Sequence, residues 1–89
     1  MLFKAKVLVT LRKSILDVQG KAVLHALQSL SYTGVKSARI GKYIELEIEA
    51  DTLEAATAVT ESACKKLLAN PVMEDFHIEV EELSDVHRS

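Results

Sequence analysis

Few residues in this 89-residue chain break up or cross-link its structure. It contains one proline, three glycines and one cysteine, and it has no tryptophan. A single cysteine, Cys64, cannot form a disulfide within the chain, and this usage is typical of a reducing compartment. Two phenylalanines and two tyrosines offer little aromatic surface for stacking nucleic-acid bases. The composition therefore argues against a disulfide-rich secreted domain and against a nucleic-acid partner.

Long apolar runs are missing as well, so the sequence predicts no transmembrane helix. The first residues, Met1–Lys6, carry two lysines where a signal peptide has an apolar stretch. The net charge of −2 provides no general attraction for nucleic acid or for an anionic membrane. We therefore expect a cytoplasmic protein with no nucleic acid and no membrane among its partners.

Strict alternation of apolar and polar residues is the strongest pattern present. In Tyr43–Ala50 every second residue is apolar, and the residues between include three glutamates. A period of two predicts a strand with one buried and one solvated face. The same pattern occurs at Leu2–Leu11, with lysines on the polar side, and at about Phe76–Glu82, again with glutamates. A shorter strand is predicted at Val35–Ile40.

Two segments between these strands are predicted to be helical. The first begins after Asp17, a good N-cap residue, and extends to about Ser31. Its buried stripe is predicted to consist of Val23, Ala26, Leu27 and Leu30. The second helix is predicted to begin at Asp51 and to end at Asn70 and Pro71, because proline cannot continue a helix.

The order β-α-β-β-α-β predicts an α+β, ferredoxin-like fold. We expect an antiparallel four-stranded sheet of order 4-1-3-2 with two helices on one face, because right-handed crossovers and charge both favour it. The lysines of the first strand would then lie between two acidic strands. Gly41 and Lys42 are predicted to form the turn of a hairpin. Residues 1–83 are expected to form one domain, and residues 84–89 a C-terminal tail.

Residues that could carry chemistry are sparse. Cys64 lies on the apolar side of the second helix with no base nearby in sequence, which indicates a buried structural thiol. The histidines His25, His77 and His87 lack the spacing of metal ligands relative to each other or to Cys64. The glutamates of the polar sheet face are interpreted as a solvated surface. The sequence therefore predicts no catalytic site and no metal site.

Three blocks of sequence resemble the PurS subunit family of phosphoribosylformylglycinamidine synthase. The blocks are Ile15–Val23, Arg39–Leu46 and Cys64–Val72, in the same order and with matching spacing. The resemblance covers about residues 2–82. One departure is Val18, which stands where the family usually has a helix-starting proline, a residue that suits this position without being required there.

The resemblance implies a role in de novo purine biosynthesis. The family's complex uses ATP and glutamine to convert formylglycinamide ribonucleotide to formylglycinamidine ribonucleotide. Its glutaminase subunit PurQ releases ammonia, and its synthetase subunit PurL consumes that ammonia with ATP and Mg. PurS bridges these two subunits, assists ammonia transfer and has no cofactor of its own. The family forms homodimers through sheet contacts and can assemble further into tetramers.

Matching positions of the family's motifs supply candidate partner-interface residues. They are Gln19, Gly41, Lys42, Tyr43, Asn70 and Pro71. Structural roles compete for several of them, since Gly41 could serve a turn and Asn70 with Pro71 could serve as a helix stop. The side chains of Gln19, Lys42 and Tyr43 are the ones that the predicted fold does not otherwise need.

Two functions of other classes share this topology. A stand-alone ACT-like module that binds a small ligand would typically have a glycine-bearing loop after the first strand, and residues 12–15 contain no glycine. An acylphosphatase-like enzyme would need an arginine-bearing phosphate cradle and a catalytic asparagine, and the sequence shows neither arrangement. The ACT-like module remains the alternative.

Overall fold

An antiparallel sheet of three strands and two helices form this α+β fold. The computed structural model describes residues 1–83, so the predicted tail at residues 84–89 lies outside the described part. The elements in chain order are β1 (Leu2–Leu11), α1 (Val18–Ser29), β2 (Gly41–Glu49), α2 (Leu53–Ala63) and β3 (Glu74–Glu82). A π-helical turn, Cys64–Leu68, continues directly from α2.

Strand β1 is the central strand, paired antiparallel with β2 on one edge and with β3 on the other. In this register Lys4 and Lys6 each lie opposite one glutamate on β2 and one on β3. The ion pairs are diagonal, with Lys4 Nζ 3.3 Å from Glu45 Oε2 and Lys6 Nζ 3.4 Å from Glu81 Oε1. The prediction that a basic strand lies between two acidic strands is confirmed.

The buried core lies between β1 and α2. Alternate residues of β1 point toward this helix and are almost fully buried: Phe3, Ala5, Val7 and Val9. From α2 and its extension, Ala56, Thr60 and Cys64 are buried against them. The hydroxyl of Thr60 donates to the carbonyl of Ala56 at 2.9 Å, so the one buried polar side chain in this group is satisfied.

The start of α2 differs by one residue from the prediction. Its N-cap is Thr52, whose Oγ1 accepts a hydrogen bond from the Ala55 N–H at 3.0 Å. The Thr52 carbonyl also accepts the Ala56 N–H at 3.1 Å, so Asp51 lies outside the helix. At the other end, the Ala69 N–H donates to the Cys64 carbonyl at 3.0 Å, an i→i+5 bond that widens the last turn.

The predicted strand Val35–Ile40 is absent from the sheet, which has three strands among residues 1–83. Two of its polar contacts are made with the α1 region instead. Gln28 Nε2 donates to the Val35 carbonyl at 3.3 Å, and the Ile40 N–H donates to Asp17 Oδ2 at 2.8 Å. Because this segment runs beside α1, it does not extend the sheet at the edge of β2.

Gly41 and Lys42 were predicted to form a turn, and this prediction is wrong. Both residues belong to β2, where they lie opposite Thr10 and Val9 of β1. A Cβ atom at position 41 would lie 2.6 Å from the Val9 carbonyl oxygen. The glycine therefore allows a close approach of two strand backbones rather than a tight turn.

Helix α1 does not cover the sheet as predicted. Gly20 is its one buried residue, whereas Val23 is 39% exposed and Leu30, just beyond its end, is 69% exposed. Helix α2 lies against β1 and β3, and among residues 1–83 no helix covers the inner side of β2. The contacts that hold residues 35–40 against α1 explain this arrangement, because they keep the helix next to the segment that connects it to β2.

The position of Phe3 predicts a large loss of stability on truncation. Phe3 is 1% exposed, so Phe3→Ala should lower the free energy of unfolding by about 3–5 kcal/mol, through lost burial and a residual cavity. Urea denaturation at one fixed protein concentration measures the change. The control Val59→Ala, at a site that is 52% exposed, should change stability by less than about 0.5 kcal/mol. Equal losses in the two variants would contradict the assigned core.

Candidate functional site

Asp17 joins the start of α1 to the start of β2. Its Oδ1 accepts the Gly20 N–H at 2.8 Å, which confirms the predicted N-cap. Its Oδ2 accepts the Ile40 N–H at 2.8 Å, from the residue that precedes β2. These backbone donors, first Ile40 and then Gly20, lower the pKa of the Asp17 carboxyl below its usual value. The ionised carboxylate therefore holds two distant segments of chain together.

Gly20 is required by the same junction. A Cβ atom at this position would lie 2.5 Å from Asp17 Oδ2 and 2.6 Å from the Ala38 carbonyl oxygen. The segment before β2 can pass this close to α1 because no side chain is present. Two residues of the block Ile15–Val23 thus have structural roles, while the neighbouring Gln19 is exposed and its side chain makes no hydrogen bond within residues 1–83.

Lys42 and Tyr43 are adjacent in β2 but lie on opposite faces of the sheet. The Tyr43 ring is 57% exposed on the open face, and its hydroxyl donates to Glu45 Oε2 at 2.9 Å. This bond raises the pKa of the Tyr43 hydroxyl and, ahead of Lys4, lowers the pKa of Glu45. Lys42 lies on the helix-side face opposite Val9, where its Nζ is 3.9 Å from Glu74 Oε1. Lys42 and Tyr43 therefore offer two separate contact points, one on each face of the sheet.

Asn70 and Pro71 form the connection between the π-helical turn and β3. Asn70 Oδ1 accepts the Val72 N–H at 2.9 Å, and the Asn70 carbonyl accepts the Glu74 N–H at 2.8 Å. The Pro71 carbonyl accepts a hydrogen bond from Arg12 Nη2 at 2.6 Å. The predicted helix stop is therefore present, and it is anchored to the residue that follows β1.

Two charged residues that sequence reasoning missed organise this end of the sheet. Glu74 contacts Lys42 and also accepts the Asn70 N–H on its Oε1 at 2.8 Å. Arg12 contacts Pro71 and forms an ion pair with Asp75 at 3.2 Å. The antiparallel register of β1 and β3 was the signal that could have placed these charges together.

The candidate residues therefore gather at one end of the sheet, around the C-terminal end of β1. Gly41, Lys42, Asn70 and Pro71 lie together there, linked by Glu74. Tyr43 lies on the reverse face, and Gln19 belongs to α1.

A cleft of about 550 Å³ lies between α1 and the segments on either side of it. Three cations line it, Lys13, Lys21 and Arg39, together with the apolar side chains of Ile15 and Leu24. The Arg39 guanidinium donates to the Leu11 carbonyl, so one of these cations already has a partner within the chain. The lining also contains the carboxylate of Asp17, so the cleft combines charges of both signs with apolar side chains.

Neither a metal cluster nor an activated thiol is found among the described residues. Within residues 1–83, no three His, Cys, Asp or Glu side chains are placed to hold a metal ion. Burial raises the pKa of the Cys64 thiol, which disfavours the thiolate that a nucleophile needs. Neither helix in this part of the chain has the length and apolar character needed to cross a membrane.

The described residues thus define a class of small α+β protein with exposed apolar and charged surfaces. Residues 4–82 match the family described as PurS, phosphoribosylformylglycinamidine (FGAM) synthase. The PurS subunit of Bacillus subtilis strain 168 is 51% identical over 82 residues, which is 92% of this chain and 96% of the relative. This chain belongs to the PurS family.

Solved structures agree with that assignment. The crystal structure of Methanocaldococcus jannaschii PurS superposes with a TM-score of 0.84 at 36% identity, covering 92% of this chain and 99% of that one. A chain in the structure of PurLQS from Thermotoga maritima superposes with a TM-score of 0.85 at 34% identity, covering 91% of this chain and 99% of that one. The similarity therefore extends over nearly the whole of each protein.

The crowding at Gly20 predicts that replacing this glycine by alanine lowers the stability of the fold. Alanine favours a helix over glycine by about 1 kcal/mol, but at position 20 its methyl group would collide with Asp17 and the Ala38 carbonyl. Gly20→Ala should therefore lower the free energy of unfolding by about 1–3 kcal/mol. At Gly34 no atom lies within 4 Å of an added Cβ, so Gly34→Ala should be neutral or slightly stabilising. Thermal denaturation of both variants measures the contrast, and a stabilised Gly20→Ala protein would contradict the close approach.

The Asp17 junction predicts a pH-dependent contribution to stability. The folded-state pKa of this carboxyl is lowered, so its contribution is present above the unfolded value of about 3.9 and is lost as the pH falls through the folded value. Asp17→Asn removes the charge and one of the two acceptors. The variant should be less stable than the parent at pH 7, and the gap should shrink below about pH 4. Urea midpoints from pH 7 to pH 3 test this, and a gap that widens on acidification would rule it out.

Proposed function

We propose that this chain is the non-catalytic small subunit of a phosphoribosylformylglycinamidine synthase in purine biosynthesis. In this role it bridges the glutaminase PurQ and the synthetase PurL and assists the transfer of ammonia between them. The observation that carries the proposal is its similarity, over nearly the full chain, to a chain of the PurLQS structure. Its match to the PurS family over residues 4–82 supports the same role.

The proposal also covers the location of the chain, its cofactors, its self-association and its fourth strand. Residues 1–83 would act as one unit in the cytoplasm, with no cofactor of its own, while ATP and Mg serve the synthetase. The subunit would also associate with itself. A fourth strand at Val35–Ile40, which would complete the ferredoxin-like order 4-1-3-2, stays a prediction. To form it, the segment would have to exchange its hydrogen bonds to the α1 region for hydrogen bonds to β2.

We place the contact with the larger subunits at the C-terminal end of β1. Lys42, Asn70 and Pro71 lie together there on a framework set by Glu74 and Arg12. Gly41 lies beside them in the β2 backbone, Tyr43 offers an aromatic ring on the reverse face, and Gln19 offers an exposed amide on α1. Aromatic residues such as tyrosine are enriched at protein interfaces.

Reconstitution tests the function directly. The purified chain is mixed with the synthetase and glutaminase subunits, ATP, Mg and glutamine, and glutamine-dependent product formation is compared with and without it. A bridging subunit should raise the glutamine-dependent rate, whereas the rate with free ammonia should change much less. Equal glutamine-dependent rates with and without the chain would remove the bridging role and favour the ACT-like alternative.

The interface assignment makes a residue-specific prediction. Lys42→Glu combined with Tyr43→Ala should leave folding intact, because both side chains are largely exposed, and should weaken binding to the larger subunits by about tenfold or more. The two single variants then tell which face of β2 makes the contact. Co-elution and titration calorimetry measure assembly.

A matched control carries the same kind of change on the outer surface of α2 and its extension. Lys66→Glu combined with Val59→Ala reverses one charge and truncates one exposed apolar side chain. This variant should assemble like the parent. Normal assembly of the Lys42 and Tyr43 variant, or equal weakening of both, would discard the assigned contact.

A further inference from the structure

We propose that the cleft beside α1 receives a segment of one of the larger subunits, in which an acidic residue lies next to an apolar side chain. This partner belongs to the complex of the proposed function, on which the inference rests. The cleft, of about 550 Å³, is bounded by the loop after β1, by α1 and by the segment that precedes β2.

The floor of the cleft is apolar and only partly covered. Ile15, Leu24 and Ala38 are half-buried there, and Leu16 at its margin is 62% exposed. A side chain buried in such a depression commonly supplies a large share of the binding energy at a protein interface. The floor therefore suits an apolar anchor from a partner.

The charge at the rim of the cleft has the opposite sign to that of the whole chain. Three cationic side chains, Lys13, Lys21 and Arg39, line the cleft together with one carboxylate, Asp17, so that two positive charges are in excess. The chain as a whole has a net charge of −2. Surfaces that join in a complex carry complementary potentials, so this local excess favours an acidic partner segment.

Lys13 and Lys21 are the charges available to a partner. Both oxygens of Asp17 already accept backbone hydrogen bonds, and the Arg39 guanidinium donates to the Leu11 carbonyl. Among residues 1–83, neither lysine has a carboxylate within ion-pair distance. A carboxylate of the partner would therefore meet these two lysines, above the apolar floor.

Hydrogen bonds hold the walls of the cleft in place without a partner. The Ile15 N–H donates to the Arg12 carbonyl at 2.9 Å, which turns the loop after β1. On the opposite wall, the Ile40 N–H donates to Asp17 Oδ2 at 2.8 Å. Because these bonds fix the backbone on both sides, binding would require little further ordering of this chain.

A segment of protein fits this cleft better than a small molecule does. Sites for small ligands enclose roughly 70–90% of the ligand and orient it with a few polar groups inside the pocket. Here the cationic side chains are exposed at the rim, and every buried side-chain polar atom of residues 1–83 already has a hydrogen-bond partner. No such atom is left to orient a small molecule on the floor.

The cleft adjoins the contact that we assign to the larger subunits at the C-terminal end of β1. Arg12, which donates to the Pro71 carbonyl, is followed directly by Lys13 of the cleft. On the other wall, Arg39 of the cleft precedes Gly41 of that contact by two residues. One large partner could cover both regions, which favours a larger subunit as the occupant.

Charge reversal in the cleft tests its electrostatic part. Lys13→Glu combined with Lys21→Glu should leave folding intact, because both side chains are exposed, and far-UV circular dichroism checks this. Binding to the synthetase and glutaminase subunits should weaken by about tenfold or more, mainly through slower association. The affinity of the parent should fall as salt rises from about 0.05 to 0.5 M, and that of the variant should fall less.

A matched control makes the same change in net charge outside the cleft. Lys36→Glu combined with Lys66→Glu alters two exposed lysines that do not line it, and this variant should bind like the parent. Leu16→Ala should weaken binding without changing its salt dependence, because only apolar contact is removed. Normal binding of the Lys13 and Lys21 variant, or equal weakening by the control, would overturn the proposal.

Cross-linking identifies the segment that enters the cleft. A photo-activated benzophenylalanine at position 16 is introduced into the chain, and the reconstituted complex is irradiated. Mass spectrometry should find cross-links to a segment of a larger subunit that has aspartate or glutamate beside an apolar residue. Cross-links only to another copy of this chain, or to segments without a carboxylate, would overturn the proposal.

Other occupants of the cleft are tested on the isolated chain. Titration with inorganic phosphate, or with vesicles that contain phosphatidylserine, should show no binding that depends on Lys13 and Lys21. Binding that is lost in the Lys13 and Lys21 variant but kept in the Lys36 and Lys66 control would assign the cleft to an anion or to a membrane surface and overturn the proposal.

The outcome is separable from that of the proposed function. A parent chain that raises the glutamine-dependent rate, with a Lys13 and Lys21 variant that assembles like the control, would remove the cleft contact alone. A parent chain that cross-links from position 16 to an acidic segment of a larger subunit, but leaves the rate unchanged, would remove the bridging role alone.

Discussion

The pairing of β1 with a strand on each of its edges is the constraint on which the other features depend. Because β1 is central, one of its faces buries Phe3, Ala5, Val7 and Val9, and the other holds Lys4 and Lys6 between glutamates. A shift of one residue in this register would exchange the two faces and expose the core. The same register brings β2 and β3 together at the end of β1, where Lys42 and Asn70 meet Glu74.

A second constraint, the carboxylate of Asp17, decides where α1 lies. By accepting backbone donors from Gly20 and Ile40, it ties the connection after α1 to the start of that helix. Burial of apolar surface would favour α1 over the sheet, but the tied connection keeps it aside. The chain thereby retains exposed apolar surface, a property that suits a protein whose role is to contact other chains.

Sequence reasoning was accurate where a local pattern determines the structure. Period-two alternation predicted three of the strands, and the opposed charges on Lys4, Lys6 and their neighbours predicted that the first strand is central. The cap at Asp17 is a local motif and was also predicted correctly. At Gly41 the pattern was ambiguous, because glycine serves both tight turns and close strand approaches, and the structure contains the approach.

The sequence by itself determined the α+β class, three of the strands and the family resemblance, because these depend on residue type and spacing along the chain. The tertiary structure decided that Val35–Ile40 stays out of the sheet, that Lys42 and Tyr43 face opposite ways at one end of it, and that α1 is left uncovered. These outcomes depend on competition between contacts far apart in sequence, such as Asp17 with Ile40, and no local pattern reports which contact is stronger.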